Sequence, residues 1–103
     1  MQMEPLVSLV IPVFNQKHEY MRRCLESALV QPHAGLEIVV SDNCSTNGCT
    51  EFLAEITDPR LRIVKPPRHL PLIQHFAFAG FQAKGRLISF LPSDDWLEPG
   101  WLD

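Results

Sequence analysis

The sequence lacks any long apolar run: no stretch approaches the ~18 residues that a membrane-spanning helix needs. Residues 1–5 carry Glu4 and no basic side chain, so they do not resemble a secretory signal. There is no basic stripe either, because the 9 basic residues are scattered among 12 acidic ones and the formal net charge is -3. Such a surface does not match the phosphate backbone of a nucleic acid. We therefore expect a cytoplasmic protein that does not bind nucleic acid.

Cysteine and glycine are both scarce. The three cysteines, Cys24, Cys44 and Cys49, leave one over after any disulfide pairing, and no second Cys or His pair stands at zinc-ligand spacing. We therefore expect reduced thiols that serve in packing. Only 5 glycines are present, and the turn at residues 12–17 contains none. This absence excludes the G-x-G-x-x-G dinucleotide fingerprint and the P-loop at that turn, so any phosphate is held in another way.

The sequence does contain four short apolar runs rich in Val, Ile and Leu, at residues 6–13, 36–40, 61–64 and 87–91. None alternates cleanly with polar residues, which is typical of strands buried on both faces of a parallel sheet. Helices are predicted between them, at residues 18–31, 50–56 and 71–84. This order predicts an α/β fold, a Rossmann-like open parallel sheet with helices on both faces, in one domain over residues 1–103.

Two of the predicted helices have an apolar face. The three- and four-residue spacing groups Met21, Cys24, Leu25, Ala28 and Leu29 in the first, and predicts that Ile73, Phe76, Ala77, Gly80 and Phe81 of the third face the sheet. Residues 98–102 then read as the start of another helix, with Pro99 in its first turn, just before the sequence ends at Asp103. Because so short a helix is unstable alone, we expect this chain to be a fragment of a longer protein.

Acidic side chains follow two of the predicted strands: Asp42 comes after the second, and Asp94 and Asp95 come after the fourth. Because the carboxyl ends of parallel strands meet at one edge of a sheet, we expect these three carboxylates to converge. A divalent cation, Mg²⁺ or Mn²⁺, would relieve their mutual repulsion, and carboxylates with substrate phosphates are its usual ligands. Considered alone, Asp42 fits a turn-capping role better, since Asn, Ser, Thr, Asn and Gly residues follow it closely.

Three segments together resemble a known family. They are VSLVIPVFN at residues 7–15, EIVVSDNCSTNG at residues 37–48 and AKGRLISFLPSDD at residues 83–95. In this order and at this spacing they resemble the nucleotide-binding half of a family 2 glycosyltransferase of the GT-A fold. The resemblance implies transfer of a sugar, with inversion, from a nucleotide-diphospho-sugar to an acceptor hydroxyl. A UDP-sugar is the expected donor, and a saccharide or glycolipid the expected acceptor, in polysaccharide synthesis at the inner face of a membrane.

The resemblance also implies roles for individual residues. Asp42 would accept a hydrogen bond from the base, and Asp94 would contact the ribose or phosphate side of the donor. Asp95 would hold a divalent cation, Mn²⁺ or Mg²⁺, that neutralises the diphosphate leaving group. The residues at the end of the first strand would line the base pocket, with an aromatic ring against the base: Pro12, Phe14 and Asn15.

The sequence departs from the family pattern at three points. Pro92 stands where many relatives have an aspartate, which removes one candidate metal ligand. Residues 74–78 contain no arginine near the expected diphosphate, so His75 or Arg68 is the candidate substitute. The expected catalytic base and acceptor-binding half would fall after Asp103. We therefore expect no catalytic residue within this chain, and no sugar transfer by the chain alone.

Two other functions are compatible with an α/β chain of this length. One is a receiver-like signalling module that binds Mg²⁺, but such modules carry acidic residues after the first strand, where this sequence has Phe14 and Asn15. The other is a folding or oligomerisation unit with a degenerate site. If Trp96 and Trp101 are exposed, they favour association into a homo-oligomer.

Overall fold

A computed structural model describes residues 5–32 and 34–101 and confirms the alternating order. Four strands and three helices follow one another along the chain: β1 (Val7–Val13), α1 (His18–Leu29), β2 (Leu36–Asp42), α2 (Cys49–Ala54), β3 (Leu61–Val64), α3 (Leu72–Phe81) and β4 (Leu87–Phe90). No helix within these residues is long and apolar enough to cross a membrane.

The four strands form one parallel sheet in the order β3-β2-β1-β4. The chain therefore winds outward from β1 to β3 and then crosses back to place β4 on the other side of β1. In such sheets the crevice at the carboxyl ends of the two strands flanking the reversal is where ligands bind. Here those strands are β1 and β4.

Successive residues of the central strands face opposite sides of the sheet. Ile11 of β1 packs in a buried cluster with Leu25 of α1 and Leu53 of α2. Val10 and Val39 point to the other side, where Ala79 of α3 covers them. Helices thus cover both faces, as predicted, and the near-continuous apolar character of β1 and β2 follows from this double burial.

The predicted inner face of α3 is wrong. The structure buries His75 and Ala79, whereas Ile73 is 80% exposed and Phe81 is 87% exposed. The helix is turned so that His75 reaches a hydroxyl of β2 and the small Ala79 lies against the sheet. Its apolar stripe consequently lies toward the open β4 edge, where the rings of Phe76 and Phe90 stack with centroids 5.5 Å apart.

A buried polar cluster joins the strands at the amino end of the sheet. The Glu37 carboxylate accepts hydrogen bonds from the Ser8 hydroxyl at 2.5 Å, the Lys84 amide at 2.9 Å and the Arg62 guanidinium at 2.8 Å. Burial alone would raise the pKa of Glu37, but these donors outweigh it and hold the pKa below its usual value. The Ser8 hydroxyl also accepts from the Gly85 amide at 2.7 Å. This cluster fixes the turn into β4 and lies at the opposite end of the strands from the switch point.

Candidate functional site

The loop after β1 makes contact with all three of the other strand-end loops. The ring of Phe14 lies 4.5 Å from that of His69 in the loop after β3. Asn15 binds the loop after β2: its side-chain oxygen accepts from the Thr46 amide at 2.7 Å, and its own amide donates to the Ser45 hydroxyl at 2.9 Å. Gln16 donates from Nε2 to the Ser93 hydroxyl, after β4, at 2.9 Å. The switch point is thus organised around three consecutive residues.

Asn15 has a left-handed backbone, with φ at 48°. An Asn tolerates this conformation better than most residues because its short polar side chain can hydrogen-bond locally. The bonds to the loop after β2 stabilise the turn without glycine. The structure thereby explains how residues 12–17 turn sharply although they contain none.

A pocket of about 340 Å³ opens on the α3 side of the sheet. Phe14 and His69 form its aromatic rim, and both side chains are exposed. Pro12, Asn43 and His75 line it more deeply, since all three are buried. This combination of aromatic rings and a few buried polar groups suits a planar heterocycle.

Two hydrogen-bonded pairs shape the deep part of the pocket. The Asn43 side chain donates to the Leu70 carbonyl and accepts from the Leu70 amide, both at 2.8 Å, which holds the β3–α3 loop against the pocket. Below it, the Ser41 hydroxyl and His75 Nε2 lie 2.8 Å apart. Burial lowers the pKa of His75, and the neighbouring His69 lowers it further. The lowered pKa disfavours the charged form of His75, so this side chain is a poor source of the positive charge expected of a substitute for the missing arginine.

Asp42 does not line this pocket. Its side chain is 1% exposed and points to the α2 side, where its carboxylate accepts from the Ser45 amide at 3.0 Å and from the Thr50 hydroxyl. This placement supports the turn-capping role and does not support direct contact with a base. Asn43, one residue later, points to the pocket side instead.

Sequence reasoning missed Asn43 as a pocket residue, although a signal was present. Side chains alternate across a strand, so consecutive residues at the end of β2 cannot both face the same pocket. Pro12 pairs with Ser41 in the β1–β2 register, and Val13 pairs with Asp42. If Pro12 is taken as a pocket residue, the alternation selects Ser41 and Asn43 and rejects Asp42.

Asp94 and Asp95 lie beyond β4, on the other side of the switch point, and both are exposed. One oxygen of Asp95 accepts from the Trp96 amide at 2.8 Å, and the Asp95 amide donates to the Pro92 carbonyl at 3.0 Å. The pKa of the buried Cys24 thiol is raised to about 12, chiefly by burial and in part by the nearby carboxylates of Asp95 and Asp94. Cys24 and Cys49 are buried and all three thiols are free, as predicted.

The expected convergence of three carboxylates is wrong. Among residues 5–32 and 34–101, no three His, Cys, Asp or Glu side chains lie close enough to hold a metal ion together. Asp42 is held on the α2 side, which leaves Asp94 and Asp95 as the acidic pair. Two exposed carboxylates still suit Mg²⁺ or Mn²⁺, because such ions commonly bind one or two carboxylates and complete their shell with water and substrate phosphates.

Solved structures share this architecture. S. aureus TarS, solved in complex with UDP, matches with a TM-score of 0.82 over 94% of this chain and 30% of its own, at 24% identity. The mannosyltransferase PcManGT from Pyrobaculum calidifontis, in complex with GDP-Man and Mn²⁺, matches with a TM-score of 0.74 over 91% of this chain and 29% of its own, at 22% identity. These similarities show that the fold is the Rossmann-like GT-A fold.

The chain belongs to glycosyl transferase family 2, whose pattern matches residues 8–103. Chondroitin synthase of Pasteurella multocida is 38% identical over 97 residues, which are 92% of this chain and 10% of that protein. The putative teichuronic acid biosynthesis glycosyltransferase TuaG of Bacillus subtilis is 33% identical over 94 residues, which are 89% of this chain and 37% of that protein. The chain therefore spans well under half the length of these relatives.

Proposed function

We propose that this chain is the donor-binding part of a glycosyltransferase that moves a sugar, with inversion, from a nucleotide-diphospho-sugar to an acceptor hydroxyl. The observation that carries the proposal is the loop of residues 14–16, which meets an aromatic pocket on one side and the Asp94–Asp95 segment on the other. A nucleoside diphosphate has a matching arrangement, with a planar base at one end and a charged diphosphate at the other.

The base occupies the pocket on the α3 side in this proposal. Phe14 and His69, whose rings contact each other at the rim, contact the base from one side, and Pro12 with Asn43 sets the depth to which it enters. Asn15 acts by holding the loop that carries Phe14, through its bonds to Ser45 and Thr46. UDP is the preferred nucleotide, a choice supported by the UDP complex of the structurally similar TarS.

The diphosphate lies toward the acidic pair. Asp95 would hold a divalent cation, Mn²⁺ or Mg²⁺, and Asp94 would contact the ribose or the phosphate side of the donor. When bound, such a cation neutralises negative charge that develops on the departing nucleoside diphosphate. Both carboxylates are solvent-exposed, so a metal ion and its phosphate ligands can reach them directly.

In this proposal the acceptor-binding site and the catalytic base lie in other parts of the parent protein. Asp94 and Asp95 are assigned to the donor and the cation, so this chain supplies no general base in the proposal. We expect the parent to build a saccharide or extend a glycolipid at the cytoplasmic face of a membrane, and we expect this chain alone to transfer no sugar. The curated relatives named above, a chondroitin synthase and a teichuronic acid glycosyltransferase, support a polysaccharide product.

Isothermal titration of the chain with UDP, with and without Mn²⁺, tests the donor site. We expect Mn²⁺ to tighten UDP binding about tenfold or more, equivalent to roughly 1.4 kcal/mol, and Asp95→Ala to abolish that gain. Glu55→Ala removes an exposed carboxylate beside α2 and is the charge-matched control. Absence of UDP binding at millimolar concentration in the wild-type chain would contradict the proposal and favour a structural unit with a degenerate site.

A further inference from the structure

We propose that Gln16 is a positioning residue that sets the place of Asp94 and Asp95 relative to the base pocket. The inference rests on the proposed donor site and concerns how its two halves are kept in register. Gln16 touches neither the pocket nor the acidic side chains in the described structure, so it acts through Ser93.

The side-chain amide of Gln16 is engaged at both ends. Nε2 donates to the Ser93 hydroxyl at 2.9 Å, and Oε1 accepts from the Lys17 amide at 2.9 Å. Because only an oxygen can accept from the Lys17 amide, the orientation of the Gln16 amide is set and its nitrogen faces Ser93. Ser93 is 9% exposed and directly precedes Asp94.

The main chain of Gln16 is held as well. Its carbonyl accepts from Nδ2 of Asn47 at 2.8 Å and from the thiol of Cys49 at 3.2 Å. Two residues earlier, Phe14 forms the rim of the base pocket. Gln16, which reaches toward Ser93 and the acidic pair, is therefore anchored in the same loop that carries Phe14.

Helix α1 supports the acidic segment on either side of the two aspartates. Helix α1 contacts Pro92 through the Cys24 thiol at 3.6 Å, and it contacts Leu97 through the Ser27 hydroxyl at 2.9 Å. Within residues 5–32 and 34–101, the Gln16–Ser93 bond is the one hydrogen bond from the β1–α1 loop to this segment. Breaking it leaves the flanking anchors intact and loosens the aspartates relative to the pocket.

The base and the diphosphate of UDP are joined through one ribose, so a displacement of the acidic pair relative to the pocket weakens the two ends of the donor unequally. Without metal, UDP affinity depends chiefly on the base pocket, and loss of the Gln16–Ser93 bond disturbs only the contact of Asp94 with the donor. With metal, the base and the metal-bound diphosphate must be satisfied at once. Loss of the bond therefore reduces the gain in affinity that Mn²⁺ confers, while metal-free affinity changes little.

The test is a double-mutant cycle on UDP binding, measured by isothermal titration with and without Mn²⁺. Gln16→Met keeps the length of the side chain and removes the donor, and Ser93→Ala removes the acceptor. We expect each variant to lower the Mn²⁺-dependent gain about threefold and to leave metal-free affinity within about twofold, with no further loss in the double variant. Ser93→Thr retains the hydroxyl and is expected to keep the gain, and Gln74→Met on the exposed surface of α3 is the matched control.

Each outcome is decisive. If wild-type UDP binding is enhanced by Mn²⁺ and Gln16→Met leaves the enhancement unchanged, the inference fails and the proposed function stands. Equal loss of metal-free and metal-dependent affinity shows a general structural role and overturns it as well. Additive effects of Gln16→Met and Ser93→Ala do the same. If the wild-type chain binds no UDP, or binds it no more tightly with Mn²⁺, the proposed donor site fails and the inference falls with it.

Discussion

The Ser41 hydroxyl and His75 Nε2 form a hydrogen bond of 2.8 Å in the buried layer between β2 and α3. The bond explains why α3 presents a histidine to the sheet instead of its apolar stripe. An imidazole left in that layer without a partner would be costly, and so would an unpaired hydroxyl. The pair also places a titratable group directly beneath the pocket, with His69 and Asp42 as titratable neighbours.

The stability of the chain is predicted to fall as the pH is lowered through and below about 6.5, the ordinary value for histidine. Burial lowers the pKa of His75 in the folded chain, so the unfolded chain binds a proton first. The contribution of neutral His75 to the free energy of unfolding is therefore complete above the pKa that this histidine has in the unfolded chain. It is lost as the pH falls through the pKa that His75 has in the folded chain. Urea unfolding at several pH values measures it. His75→Gln should remove this part of the dependence, whereas His18→Gln, an exposed histidine, should retain it; equal slopes in wild type and His75→Gln would contradict the assignment.

Asp42 is predicted to support the loop after β2 rather than to contact a base. Asp42→Asn loses an acceptor for the Thr50 hydroxyl and should cost about 1–3 kcal/mol in the free energy of unfolding. Thr50→Val removes the same bond from the other side, so the two changes should be non-additive. UDP affinity, measured well below the melting temperature, should change less than about threefold in Asp42→Asn and fall about tenfold in Asn43→Ala, which opens the pocket wall. Loss of UDP binding with unchanged stability in Asp42→Asn would support direct base contact instead.

Gly85 is predicted to tolerate no side chain. A Cβ there would lie 2.7 Å from the Ser8 amide nitrogen and 2.9 Å from the Val7 carbonyl carbon, and neither backbone atom can move aside cheaply. Gly85→Ala should therefore cost roughly 1–3 kcal/mol, measured by thermal or urea unfolding.

Gly80→Ala is the matched comparison for this substitution. A Cβ added at Gly80 would lie 3.3 Å from the end of the Phe90 side chain. Phe90 is 44% exposed, so its ring can shift. Because alanine also favours the helix by about 1 kcal/mol, we expect Gly80→Ala to be neutral or stabilising. A loss of stability at Gly80 as large as that at Gly85 would show that the Gly85 effect does not come from backbone contact.

The chain is predicted to self-associate through exposed apolar side chains of α3 and of the edge strand β4, among them Phe81 and Leu87. These two side chains are 87% and 63% exposed, and an open strand edge offers unpaired backbone groups. Sedimentation equilibrium should show concentration-dependent association that Phe81→Lys weakens about tenfold. Val30→Lys, at another exposed apolar position at the end of α1, should have no effect. A wild-type chain that stays monomeric throughout would contradict this prediction.

Much of the candidate site could be predicted from local signals. The sequence indicates Asp94, Asp95 and Phe14 as candidates because they come soon after apolar runs, and in the structure they lie on either side of the β1–β4 switch point. Direct base contact by Asp42 was not supported, because position after a strand does not say which face of the sheet a side chain takes. Asn43 was not indicated as a pocket residue for the same reason, and His75 was expected near the diphosphate instead of beneath the base pocket. Their partners, Leu70 and Ser41, lie 27 and 34 residues away in the sequence.

The amino-acid sequence by itself determined the element order and the parallel sheet, because runs of Val, Ile and Leu separated by helical periodicity need only short-range pattern. The family followed from the resemblance of three segments, at residues 7–15, 37–48 and 83–95. The rotation of α3 could not be determined in that way. Its apolar stripe satisfies the helical period equally well facing inward or outward, and the choice depends on what lies opposite in the fold. Only the tertiary structure brought Ser41 under His75 and Ser93 beside Gln16, because these pairs depend on how β1, β2 and β4 are ordered in the sheet.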